Sequence, residues 1–198
     1  MSSSVIFNTV ISARACCRAV NYGSIGSVIG HEITHGFDDQ GSQFDKDGNL
    51  LDWWDQATKE QFNKRTGCIV EQYSKFSLPG TDVHVNGLLT QGENIADNGG
   101  VKEAYKAYKN RVKKSRKDEK RLPGLEKYTN DQIFFMSFAQ SWCGKSKPAA
   151  ARELILTDPH SPPQFRVEGA AVNQPEFAEA FQCASGTAMN PVTKCDVW

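Results

Sequence analysis

The sequence predicts a mainly α-helical domain, and three observations carry that expectation. Strict polar/apolar alternation, the mark of a half-buried strand, is nearly absent from the 198 residues. Apolar residues instead recur at helical spacing in several stretches, bounded by capping residues, Gly and Pro. The length suits one domain with a core of its own.

Taken in order, residues 23–37 form the first expected helix, with Ile25, Val28, Ile29 and Ile33 on one apolar face. Gly36 and the polar stretch 38–41 stop it, and residues 45–49 read as a turn. Asp52 is the expected cap of a second helix reaching about Phe76, with Trp53, Phe62, Ile69, Tyr73 and Phe76 as core candidates. A third helix is expected over residues 90–109. Thr129 and Gln132 make a capping box that opens a fourth, ending near Trp142. Residues 149–156 form a fifth, stopped by Asp158 and Pro159, and residues 173–183 contain a sixth.

Charge narrows the classes of partner. Lys plus Arg and Asp plus Glu each total 23, so the formal net charge is zero. That balance argues against nucleic acid or an anionic membrane engaged by bulk charge. The basic run 109–120 reads as a solvated linker or helix end. No apolar stretch approaches the roughly 20 residues that span a bilayer. Residues 1–20 hold a short apolar run before Ala13, Arg14 and Ala15. That run lacks a basic lead and is broken by Asn8 and Thr9, so it matches a secretory signal poorly. The cysteines, at 16, 17, 68, 143, 183 and 195, show no C-x-x-C spacing, which argues against a zinc ribbon.

The chemistry concentrates at His31, Glu32, Ile33, Thr34 and His35, an H-E-x-x-H pentad on the first expected helix. Residues four apart on a helix lie about 40° apart around the axis and about 6 Å along it. Two imidazoles so placed converge on one metal ion, and Glu32 sits beside it as a base for a bound water. Two helical histidines that merely pack are the plain alternative. A catalytic zinc needs a third protein ligand, and Glu93 is the best candidate. Asp97 follows one turn later and could take the free ring N–H of a ligand histidine. An E-x-x-x-D pair on a solvated helix is the competing reading.

Blocks beyond the pentad carry a family resemblance. The stretches NYGSIGSVIGHEITHGFDDQGSQFDKDGNLLDWW (21–54), GENIADNGG (92–100), DPHSPPQFRVEGAAVNQPEFAEAFQC (158–183) and the terminal CDVW together resemble the neprilysin and endothelin-converting-enzyme family. The resemblance implies a zincin-like (gluzincin) catalytic domain with thermolysin-like active-site helices. It implies one Zn²⁺ per chain held by His31, His35 and Glu93, with Glu32 as base and Asp97 supporting a ligand histidine. It assigns His160 as hydrogen-bond donor to the oxyanion, Asp158 as the group orienting it, and Arg166 as holder of a substrate carbonyl or terminal carboxylate. From the residues alone, His160 is a lone histidine in a Pro-rich loop and Arg166 an ion-pair partner. His84 matches nothing in the family pattern and reads as a surface residue.

The implied activity is endopeptidase cleavage of oligopeptides on the amino side of hydrophobic residues by a zinc-activated water, at the cell surface or outside the cell. By the same resemblance Cys68 pairs with Cys195, while Cys143 and Cys183 would pair within the family's N-terminal portion. That portion, a long helical part of a type II membrane protein, is expected to be missing here, along with the Asn-Ala motif that grips the substrate backbone. Residues 1–20 are accordingly expected to be a non-family segment and 21–198 the C-terminal peptidase domain. The alternative function is a truncated zinc-binding fragment with impaired catalysis.

Overall fold

The computed structural model describes residues 18–115 and 119–198, so Cys16, Cys17 and all of the signal-like segment 1–20 except Arg18, Ala19 and Val20 lie outside the described residues. Within them are eight α-helices: α1 (Arg18–Asn21), α2 (Ser27–Thr34), α3 (Gln56–Tyr73), α4 (Gln91–Ser115), α5 (Asn130–Ser141), α6 (Pro148–Thr157), α7 (Pro163–Val172) and α8 (Pro175–Ala180). Strand pairing among the described residues amounts to three isolated bridges, one of them pairing Ser77 with His84. His84 is exposed, as expected of a surface residue.

The first expected helix is composite. A π turn at Tyr22–Gly26 leads into α2, and a 3₁₀ turn at His35–Phe37 closes it. Its apolar face does not point into the core: Ile29 is 53% and Ile33 65% exposed. The buried face is the small, polar one, Ser27, Gly30 and Thr34. It lies against α4 so closely that a Cβ on Gly30 would come within 2.7 Å of the Gly100 carbonyl. A Cβ on Gly100 would meet the His31 backbone nitrogen at 2.5 Å. Two glycines thus let the helix carrying His31 approach the helix carrying Glu93 backbone to backbone.

The cap of α3 is Asp55, which accepts from the Thr58 N–H at 2.9 Å. Asp52, expected in that role, pairs instead with Lys59. Among the expected core residues Phe62, Ile69 and Tyr73 are buried, whereas Trp53 is exposed. The Thr129 and Gln132 capping box is formed at α5. Helix α7 was not expected: it starts at Pro163, where a missing N–H costs nothing.

Helix α4 runs between two apolar clusters. One gathers Val101, Ala104, Tyr105 and Tyr108 with Phe134, Phe135 and Phe138 of α5. The other gathers Ile95 with Phe62, Ile69, Tyr73, Ile155 and Phe165. Burial at about 1.5–3 kcal/mol per large side chain fixes α4 from both sides. The pairing implied for the cysteines is present: Cys68 is bonded to Cys195 across a sequence separation of 127. Closing so long a loop stabilises by about 5 kcal/mol in the chain-entropy view, an upper figure. Cys143 and Cys183 are free thiols here.

Candidate metal centre

Helices α2 and α4 bring His31, His35 and Glu93 together, and one ligand atom from each lies within 4.8 Å of the others. The His31 and His35 Nε2 atoms are 2.9 Å apart. Glu93 places Oε2 at 3.3 Å from His31 Nε2 and Oε1 at 3.5 Å from His35 Nε2. Four ligands around a tetrahedral Zn²⁺ at roughly 2.0–2.1 Å stand about 3.3 Å from one another. Two imidazoles and one carboxylate at these separations fit that ion.

Each histidine has its far nitrogen held. His31 Nδ1 is 2.9 Å from Asp97 Oδ1. His35 Nδ1 is 2.6 Å from Asp38 Oδ2, a contact the sequence reading missed by treating Asp38 only as a helix stop. A carboxylate three residues after the second histidine of the pentad was the available signal. With Nδ1 engaged in both rings, Nε2 is the atom turned toward the metal position.

The electrostatics agree with that arrangement. Burial alone would lower the His31 pKa, but hydrogen bonds to the Asp97 and Glu93 carboxylates outweigh it and raise it from 6.5 to about 9. Proton and metal therefore compete for one strongly basic nitrogen. Burial pushes Glu93 up, yet the His31 hydrogen bond and the nearby His160 and Arg166 charges hold it below the ordinary value.

Arg166, on α7, is only 5% exposed. Its Nε donates to Asp97 Oδ2 at 2.6 Å and its Nη2 to Asp97 Oδ1 at 2.8 Å. Nη2 also reaches Glu93 Oε2 at 3.3 Å. The guanidinium lies 3.8 Å over the Trp142 ring, a second contact absent from the sequence reading. The ion-pair reading of Arg166 is thus met, and Arg166 also borders a cavity of about 180 Å³ beside the metal group. Glu32, His160, Val28, Phe138 and Trp142 share that wall.

His160 sits on the loop between α6 and α7. Its Nδ1 is 2.7 Å from Asp158 Oδ1 and its Nε2 3.3 Å from Glu93 Oε1. The His160 backbone N–H donates to the same Asp158 oxygen and holds that carboxyl below the ordinary value. His31, Glu32, His35, Glu93, Asp97, Asp158, His160 and Arg166 thus lie around one place.

Comparison with known proteins agrees with the geometry. The sequence model of peptidase family M13 matches residues 6–197. Neprilysin-1 of Caenorhabditis elegans is 59% identical over 181 residues, covering 91% of this chain and 24% of the relative. Endothelin-converting enzyme 1 of Homo sapiens is 53% identical over 185 residues, covering 93% of this chain and 24% of the relative. A solved zinc metalloprotease of Mycobacterium tuberculosis, in complex with an inhibitor, has a TM-score of 0.82 at 40% identity. It covers 91% of this chain and 28% of that one. The chain spans about a quarter of the length of the curated relatives it matches. The helical fold, a histidine and glutamate cluster that could hold a metal ion and a match along nearly the whole sequence lead to one assignment: the chain belongs to peptidase family M13, and zinc is its metal.

Proposed function

We propose that the chain is the zinc-bearing catalytic portion of an endopeptidase that cleaves oligopeptides on the amino side of hydrophobic residues. The observation that carries this reading is the shared cavity wall: Glu32, His160 and Arg166 face the same 180 Å³ space as the ligand His31. Val28, Phe138 and Trp142 give that space an apolar part, which suits a hydrophobic side chain. When bound by His31, His35 and Glu93, Zn²⁺ supplies Lewis acidity toward a water and a carbonyl oxygen.

The remaining work falls to the side chains. Glu32 takes the proton of the attacking water and passes it to the leaving amine. His160, with Nδ1 tied to Asp158, presents Nε2 to the developing oxyanion, where a positioned donor is worth about 10²–10³ in rate. Asp97 keeps the His31 ring oriented and Asp158 the His160 ring. Arg166 holds the substrate carbonyl or terminal carboxylate from the cavity wall. The Cys68–Cys195 bond supports a cell-surface or extracellular setting. Among the described residues no helix is long and apolar enough to cross a membrane.

A specific observation favours a second reading, in which these residues bind zinc but turn peptides over slowly. Ile29, Ile33 and Phe37, on the metal-bearing helix and the turn after it, are exposed to water. Water exclusion and substrate positioning together lower a barrier by several kcal/mol. Hydrolysis of a quenched-fluorescence peptide, with a chelator control, separates the two readings. Under the first, Glu32→Gln keeps its zinc and loses turnover by orders of magnitude. Near-normal turnover in that variant would assign the base elsewhere, and a zinc-loaded chain at least about 100-fold slower than a full-length relative would favour the second reading.

A further inference from the structure

We propose that Ser161 and Asn94 are a positioning pair that sets His160 over the metal group, acting on the reaction through His160 without touching substrate. The inference rests on the reading of His160 as oxyanion donor.

The contacts His160 makes to Asp158, through Nδ1 at 2.7 Å and its backbone N–H at 2.8 Å, are two residues away in the chain. They fix the ring relative to its own loop. They do not fix the loop relative to α4, which carries Glu93. That second task falls to the next residue: Ser161 Oγ donates to Asn94 Oδ1 at 2.8 Å. Ser161 is 1% and Asn94 0% exposed. Glu93 and Asn94 are neighbours in the chain, as are His160 and Ser161. One fully buried hydrogen bond therefore lies immediately beside the 3.3 Å approach of His160 Nε2 to Glu93.

The bond has a defined direction. Asn94 Nδ2 donates to Thr90 Oγ1 at 2.9 Å, and Thr90 Oγ1 donates onward to the Asn86 carbonyl at 3.1 Å. The Asn94 oxygen is thereby turned to the loop, where the Ser161 hydroxyl must be the donor. A buried polar pair of this kind is costly if half-satisfied, so it resists small displacements of the loop. Pro162 and Pro163 follow Ser161, and their restricted φ transmits its placement into α7 and Arg166.

The test uses the zinc-loaded chain and two probes. One is a quenched-fluorescence oligopeptide; the other is a phosphonamidate peptide, whose tetrahedral anionic oxygens stand in for the oxyanion. Ser161→Ala should keep its zinc, lower kcat about tenfold with KM within about twofold, and weaken phosphonamidate binding about tenfold. Ser161→Thr, which retains the hydroxyl, should stay within about threefold of the unsubstituted chain. In a His160→Ala background, Ser161→Ala should change neither probe further. Should Ser161→Ala lose zinc, Ser161→Cys, close in size but a weak donor, takes its place in the same cycle.

Full phosphonamidate affinity in the Ser161 variant would overturn the proposal. A loss that adds in full to that of His160→Ala would do the same, because Ser161 would then act independently. A chain that binds phosphonamidate through His160 but cleaves no peptide would end the endopeptidase reading, and the binding cycle would still decide this one. Phosphonamidate binding indifferent to His160→Ala would leave no donor to position, and the inference would fall.

Discussion

His31 and His35 stand one turn apart, yet their imidazoles are held by unlike means. The partner of His31 is Asp97, 66 residues away on α4, and that carboxylate is in turn gripped by Arg166 of α7 over the Trp142 ring. The partner of His35 is Asp38, three residues on, and the charge of Asp38 is met by the backbone N–H groups of Gln40 and Gly41 at 2.8 and 2.7 Å. The first support exists only when α2, α4, α5 and α7 are docked. The second takes all its side-chain hydrogen bonds from a local turn, with Asp38 buried beside Gly92 of α4. On the proposed ligand set, metal affinity is tied to the docking of distant helices more tightly at His31 than at His35.

The strongest way to break that contrast is to remove the two carboxylates in turn. Asp97→Ala leaves the Arg166 guanidinium buried without its main partner, and a urea melt should show a loss of about 3–5 kcal/mol. Asp38→Asn should leave the melt nearly unchanged and instead weaken zinc about 10–100-fold in a competition titration. Equal melting losses for the two variants would end the distinction. The smallest expected effect sharpens it at the far end of the His31 chain. Trp142→Leu removes the ring face under Arg166 and should cost about 0.5–2 kcal/mol, with Trp142→Phe recovering part of the loss. A Trp142→Leu protein as stable as the unsubstituted chain would show that Asp97 alone fixes the guanidinium.

The same contrast explains what could be read from the sequence. His31, Glu32 and His35 were legible because a helix imposes the i, i+4 spacing, and Thr129 with Gln132 because a capping box is local. Glu93 and Asp97 are already candidates from the chemistry a zinc requires, but His160 and Arg166 join them only through resemblance, since nothing local says that α4 and α7 meet α2. Asp38 was local and still missed, because Asp after Gly36 also reads as a helix stop. Asp55 took the cap expected of Asp52, three residues earlier, where both offer the same chemistry. Helix α7 was hidden by its double proline and its run of small residues, which leave little apolar period to see. An apolar stripe like that of α2 ordinarily faces the core, yet here it faces water. The close approach of Gly30 to Gly100 shows why the small face is buried instead: two helices that bring His31, His35 and Glu93 within 4.8 Å of one another cannot be held apart by leucine-sized residues.

On the proposed function His31, His35 and Glu93 hold one zinc per chain while Glu32, beside them, is reserved for proton transfer. Metal content of the purified chain and of its Glu93→Ala and Glu32→Gln variants, measured side by side after the same dialysis, tests it most directly. One zinc per molecule is expected in the unsubstituted chain and in Glu32→Gln, and little or none in Glu93→Ala. Full zinc in Glu93→Ala would contradict it, because the third ligand would then lie elsewhere.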